Sequence, residues 1–254
     1  MRIIAFTGAV CALAAHASAQ VLFETSFESP HYAPGVGVGG VNGWNNGINA
    51  GATHEVRSGT AHAGTQALTF DNTSTFDNWY SVRRALPTYT ATPLNPLSIQ
   101  VRLWLSASTQ AGRVYGLYSG GTATSHIGGT IAGITIGGDG SVRTGPNWIA
   151  TYRDIDWTAA PGTFLERWLT LGLIYNGSQF TTYIEGFADG SRYSQTFVRM
   201  APLSMNLGSD LVEGVTSASG QAFFDDVVVE SVPEPVTLTA LAVGMLALVR
   251  RRRS

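Results

Sequence analysis

The chain of 254 residues contains no lysine, one cysteine and only 13% charged residues. Each scarcity excludes a class of function. All 15 basic residues are arginine, and four of them, Arg250, Arg251, Arg252 and Arg253, stand together at the C-terminus. No basic face can then be spread over the body, which argues against nucleic acid as a partner. The cysteine is Cys11, so the rest of the chain has no disulfide, thiol nucleophile or thiolate metal site. His31, His54, His62 and His126 form no HxH or HExxH pattern that would hold zinc. There is no Gly-x-Ser-x-Gly elbow, and the glycine-rich stretch from Gly35 to Gly40 follows Pro34 rather than leading a strand into a helix, so no phosphate loop is present. At 44% hydrophobic residues the chain is too apolar to be disordered.

What is present begins with the two ends. Residues 1–19 combine a basic start at Arg2, an apolar stretch from Ile3 to Ala15 and the small triplet Ala17-Ser18-Ala19. That is the layout of a secretory signal peptide, with cleavage expected after Ala19. At the other end, Pro233-Glu234-Pro235 precedes fourteen mostly apolar residues, Val236 to Val249, and then the arginine cluster. As a helix this run would reach ~21 Å at ~1.5 Å per residue, short of the ~30 Å hydrocarbon core, so length alone leaves membrane spanning open. The arginines favour it: a positive cluster beside an apolar helix stays on the cytoplasmic side and leaves the preceding chain outside. Snorkelling and local thinning of the bilayer can supply the missing length.

Pro-Glu-Pro, a short apolar helix and a terminal arginine cluster resemble the PEP-CTERM sorting signal of Gram-negative bacteria. The resemblance implies processing by an exosortase-type membrane protease near Pro233-Glu234-Pro235, transient residence in the inner membrane, and delivery to the cell surface or exopolysaccharide matrix. It covers residues 233–254.

Between these ends lies a body, residues 20–232, with ten arginines against sixteen acids, or about −6 with histidines neutral. Short alternating runs rich in β-branched and aromatic residues recur through it, from Leu97-Ser98-Ile99-Gln100-Val101 to Ala222-Phe223-Phe224, punctuated by glycine and Thr/Ser/Asn clusters. This pattern predicts a single all-β domain, an antiparallel sandwich or barrel. Asn176-Gly177 and Asp189-Gly190 each separate two alternating runs as a hairpin turn would. No repeat or linker divides the body.

Phe27-Glu28 on the first strand, Gly43-Trp44, the run Ser58 to Leu68, and Phe223-Phe224-Asp225-Asp226-Val227 on the last strand resemble the skeleton of jelly-roll carbohydrate-binding modules. Trp168 to Gly186 is similar to concanavalin-like or laminin-G-like sandwiches. Both imply a jelly-roll β-sandwich, and the resemblance does not choose between their topologies.

Alternation on the last strand puts Phe223, Asp225, Val227 and Val229 on one otherwise apolar face, aiming Asp225 inward, where a carboxylate needs a partner. In the modules that the chain resembles, a glutamate of the first strand and an aspartate of the last hold a structural Ca2+, and Glu28 and Asp225 match those positions. Carbonyls of the turn from Gly59 to Gly64 would have to complete the shell. The alternative is that Asp225 caps backbone amides.

The segment from Arg143 to Gly162 interleaves Trp148, Tyr152 and Trp157 with Asp154 and Asp156. Aromatic planes stack on sugar rings and carboxylates accept hydroxyl hydrogen bonds, so this is the candidate glycan platform; the competing reading is a core anchor. Trp44 beside Asn45 and Asn46 is a weaker candidate, while Trp79, Trp104 and Trp168 read as core. Asp154 and Asp156 have the spacing of paired glycosidase carboxylates on one strand, but glycine and proline around them read as a loop. Three classes follow: a non-catalytic polysaccharide-binding surface or matrix protein, a structural matrix protein without a specific ligand, and a polysaccharide hydrolase or lyase on the same fold.

Overall fold

The computed structural model describes residues 19–46, 53–72, 80–124, 130–145, 157–212, 215 and 217–232. The leader before Ala19 and the tail 233–254 lie outside them. Fifteen strands follow in chain order: β1 (Gln20–Thr25), β2 (Trp44–Asn46), β3 (Thr53–Ser58), β4 (Gln66–Asn72), β5 (Tyr80–Ala85), β6 (Leu97–Leu105), β7 (Arg113–Gly120), β8 (Thr130–Gly137), β9 (Ser141–Gly145), β10 (Trp157–Thr158), β11 (Trp168–Tyr175), β12 (Gln179–Glu185), β13 (Tyr193–Val198), β14 (Ser204–Leu211) and β15 (Gly220–Ser231).

They form two antiparallel sheets. The larger runs β13-β12-β11-β6-β15-β4-β3 with β1 also paired to β15; the smaller runs β10-β9-β8-β7-β14-β5-β2. The turns at Asn176-Gly177 and Asp189-Gly190 join neighbours of the larger sheet, β11 to β12 and β12 to β13.

Alternation builds the core. On β6, Leu97, Ile99, Val101, Leu103 and Leu105 are buried in the interior cluster while Ser98, Gln100, Arg102 and Trp104 occupy the other face. Tyr115, Leu117, Ile134, Ile136, Met205 and Leu207 of the smaller sheet complete that cluster. Burying each such side chain contributes ~1.5–3 kcal/mol.

β15 departs from simple alternation. Its first half pairs with β4, from Gly220 opposite Asn72 to Phe224 opposite Leu68, and its second half pairs with β1, from Val227 opposite Thr25 to Ser231 opposite Gln20. β6 borders it throughout, with the register slipping between Asp225 and Val228. Asp226 takes φ 43° at this bulge. The extra residue switches the phase: Ala222 and Phe224 face the core before it, Val227 and Val229 after it. The sequence expectation that Phe223 shares a face with Val227 is therefore corrected, because uniform alternation does not survive a bulge. Phe27 and Glu28 likewise follow β1 in the irregular segment before the next turn rather than lying on it.

Phe224 is fully buried, edge-on to Phe70 with ring centroids 5.2 Å apart. Phe224→Ala should lower stability to denaturant by ~3–5 kcal/mol. A loss below ~1 kcal/mol would contradict this account of the core.

Candidate functional site

Three places collect chemistry, beginning with the bulge. Asp225 pairs with Arg102 on the side of the sheet facing away from the core, and it is buried because the β3–β4 turn folds over it. Its Oδ2 accepts from the amides of His62 at 2.8 Å and Ala63 at 3.1 Å, and its Oδ1 from Asp226 at 2.8 Å. Farther along the same turn, Glu28 Oε1 accepts from the amides of Thr65 and Gln66, both at 2.7 Å, and Oε2 from the Thr65 hydroxyl at 3.0 Å. Gly64 carries φ 73° between them, and a side chain there would collide with the Glu28 carboxylate. Two carboxylates from distant parts of the chain thus fasten one hairpin turn.

Burial pushes Asp225 up to about 6, helped by the charge of Asp226 and opposed by the three amides. Glu28 goes the other way: burial raises it, but the Gln66 and Thr65 donors hold it below its usual range. The atoms that meet both carboxylates are N–H and O–H donors. Calcium needs six to eight oxygens, so as arranged this donor set does not fit the ion, and it matches the amide-capping alternative. Among the described residues there is no group of three or more His, Cys, Asp and Glu side chains placed to hold a metal.

The outward face of the larger sheet continues from the bulge. His62 Nδ1 lies 2.6 Å from Asp226 Oδ2, and its ring stands edge-on to Trp168 with centroids 5.6 Å apart. Trp168 pairs with Trp104 across β11 and β6, and Trp104 pairs with Phe223, their rings 5.3 Å apart. Trp104 and Trp168 are half-buried on this outer row, so their assignment to the core is corrected. A strand-like run carries side chains on both faces, and only pairing tells which face a tryptophan takes. Trp44, the weaker glycan candidate, is fully buried between Phe23 and Phe27 and is corrected too. A cleft of about 660 Å³ adjoins the row, lined by Glu24, His31, Gln100, Arg102, Thr170 and Asp226 among others.

The central strands β7, β9 and β14 of the smaller sheet are buried on both faces, and the face away from the core is largely polar. Cross-strand pairs define two rows. One runs Arg83, Asn206, Tyr118, Gly133; the next runs Ser81, Gly208, Gly116, Thr135, Arg143. Gly116 and Gly208 give the second row a floor without side chains, and a Cβ at Gly116 would strike the Ile134 carbonyl oxygen. The result is a strip across the strands in which glycines lie between polar side chains, a buried trough rather than an open groove. Asn206, Thr135 and Ser81 are fully buried, and among the described residues neither end of the Asn206 amide, nor Thr135 Oγ1, nor Ser81 Oγ, has a hydrogen-bond partner. Each such group costs ~1–3 kcal/mol if nothing polar meets it. Sequence reading missed this row because Asn, Thr and Ser inside a strand look like ordinary outward-facing positions.

Trp148, Tyr152, Asp154 and Asp156 lie outside the described residues, in the connection between β9 and β10. Trp157 opens β10, pairing with Val142 of β9 at the edge of the trough's sheet.

No family model and no curated protein matches this chain. Solved structures do. A carbohydrate esterase from Shiga toxin-encoding bacteriophage phi24B aligns over 85% of this chain and 100% of its own at 17% identity and a TM-score of 0.53. A protein of unknown function from Shewanella oneidensis MR-1 aligns over 82% and 86% at 14% identity and 0.55. The cellulose induced protein Cip1 aligns over 82% and 96% at 14% identity and 0.51. At these identities the likeness establishes a shared β-sandwich fold.

The clamp generates two predictions. Asp225 titrates near 6 in the folded protein and at the lower ordinary value of 3.8 when unfolded, so the native state binds the extra proton between those values. The stability of the parent should therefore fall relative to Asp225→Asn as pH rises from about 4 to about 6, then stay level. Denaturant midpoints of the two proteins across that range check it; a parallel pair of curves would contradict it. Melting in calcium and in chelator should give equal midpoints, and a midpoint raised by calcium would show that the turn presents carbonyls instead.

Proposed function

We propose that this chain is an exported surface or matrix protein whose jelly-roll sandwich binds a polysaccharide without cleaving it. The observation that supports this most directly is Asn206, a fully buried amide on the trough with neither end partnered among the described residues. A hydroxyl-rich chain admitted to this covered face would donate to its oxygen and accept from its nitrogen at once. The trough crosses several strands, which suits an extended polymer. The β9–β10 connection carries Trp148 and Tyr152 and leads into Trp157 of β10, aromatic planes of the kind that stack on sugar rings, with Asp154 and Asp156 as hydroxyl acceptors. In this reading the leader exports the body, the apolar tail holds it in the inner membrane, and an exosortase-type protease acts near Pro233-Glu234-Pro235 before release to the surface or matrix.

The described part of the trough carries one carboxylate, Asp210, which accepts from the Leu211 amide at 2.8 Å. A carboxylate pair for glycosidic cleavage is absent among the described residues of that face. A hydrolase or lyase is the second reading, favoured by the sandwich that this chain shares with a protein described as a carbohydrate esterase. Release of reducing sugar by the parent that disappears in Asp154→Asn or Asp156→Asn would establish it.

Affinity electrophoresis through gels containing polysaccharide tests the binding reading. Asn206→Leu replaces the amide by an apolar group of similar size. It should weaken retention by roughly tenfold or more while leaving the melting midpoint equal or higher, since it removes two costly buried polar groups. Trp148→Ala and Trp157→Ala should also migrate faster than the parent. A parent that no polysaccharide retains would overturn this function and leave a structural matrix protein.

A further inference from the structure

The two ends of the body meet at one end of the sandwich. Gln20 and Ser231 are paired, Ser231 is also paired with Leu97, and the Val232 amide donates to the Pro96 carbonyl at 3.0 Å. Tyr89 joins them, its hydroxyl 2.8 Å from Ser231 Oγ and donating to the Asn95 carbonyl at 2.8 Å. Only Pro233, Glu234 and Pro235 then separate the body from the apolar run beginning at Val236, so that run starts within roughly 14 Å of this surface even with the linker fully extended.

The same end is apolar. Of the six large hydrophobic side chains that stand exposed among the described residues, five are here: Val21 (50% exposed), Leu94 (61%), Val198 (69%), Met200 (63%) and Leu203 (50%). Beside them runs a groove of about 290 Å³ lined by Pro87, Tyr89, Leu97, Tyr175, Pro202 and Leu203, among others. Its loops are nearly free of charge. Residues 86–97, 119–124 and 175–179 carry none, and 198–204 carry only Arg199. The opposite end of the sandwich differs, its turns holding Asp139, Glu166, Arg167, Asp189 and Arg192.

An apolar, tyrosine-bearing and almost uncharged surface exposed to water is a liability unless something covers it. Its composition is that of the bilayer interface, where apolar groups enter the acyl boundary while tyrosine hydroxyls and an arginine stay among the headgroups. We propose that this end of the sandwich rests on the lipid bilayer in the unprocessed protein, with Leu94, Val198, Met200 and Leu203 seated at the headgroup boundary. This rests on the reading of residues 236–249 as a membrane-inserted helix. Docking holds Pro233-Glu234-Pro235 at the membrane surface, within reach of a protease embedded in the same bilayer, and points the charged end away from the membrane. Because the surface lacks a dominant charge, it binds zwitterionic lipid without needing anionic headgroups.

The test uses the chain after leader removal, residues 20–254, which has no cysteine of its own, carrying a single one at Met200→Cys or, as the control, at the exposed Ser108→Cys of the opposite end. Each is labelled with an environment-sensitive fluorophore and reconstituted into phosphatidylcholine nanodiscs with plain or brominated acyl chains. Retention in the discs reports tail insertion, and quenching by brominated lipid reports contact with the body. The expected result is retention of both, loss of most of the fluorescence at position 200 and none at position 108. A chain that fails to enter the discs overturns the anchoring reading and this proposal with it. A retained chain in which position 200 is quenched no more than position 108 overturns this proposal alone, and a blue shift at position 200 that persists without lipid assigns the surface to a second copy or to the tail instead.

Discussion

β15 borders β6 along its whole length but divides its other edge between β4 and β1, and the bulge at Asp225 and Asp226 is where those two neighbours give way to each other. One extra residue reverses which side chains face the core. It leaves Asp225 on the outward side with backbone amides of the β3–β4 turn as its partners. Glu28, just past β1, grips the next residues of the same turn. The larger sheet is continuous through β15, and this clamp ties the chain after its first strand to the β3–β4 hairpin beside it. The cost is a buried carboxylate whose charge the amides only partly offset, which is why it titrates high.

The two sheets then divide the work. The larger one carries the clamp, the outward row of buried Phe223 and half-buried Trp104 and Trp168, and the point where both ends of the body leave. The smaller one keeps Asn206, Thr135 and Ser81 on a buried polar face over a glycine floor. Burying polar groups without partners is unfavourable, and a fold that selects for stability alone would place leucine or valine there. Retaining them makes sense if a hydroxyl-rich chain meets that face. The apolar end marks a third surface, set at right angles to both sheets by the direction of the strands, where the tail departs.

Much of this architecture was readable from residue order. The alternation of Leu97 to Leu105 specified β6 and its inward face, and Asn176-Gly177 and Asp189-Gly190 marked two hairpins. The convergence of Glu28 and Asp225 on one turn came from a family resemblance, whereas their donors came only from the structure. Trp44, Trp104 and Trp168 were misread because a tryptophan's face depends on which neighbour the strand pairs with and where a bulge falls. The trough was hidden for a related reason: Asn206, Thr135 and Ser81 become a row only when β14, β8 and β5 are set side by side, and they are far apart in the sequence.

If the polar face of the smaller sheet meets a polysaccharide, the side-chain amide of Asn206 reports on it directly. In nitrogen–proton correlation spectra its two amide protons, identified by their loss in Asn206→Leu, should shift on addition of a retained oligosaccharide and saturate with the same affinity as binding. Shifts confined to the indole protons of Trp104 and Trp168, with Asn206 unmoved at saturation, would place the ligand on the other sheet and contradict the account.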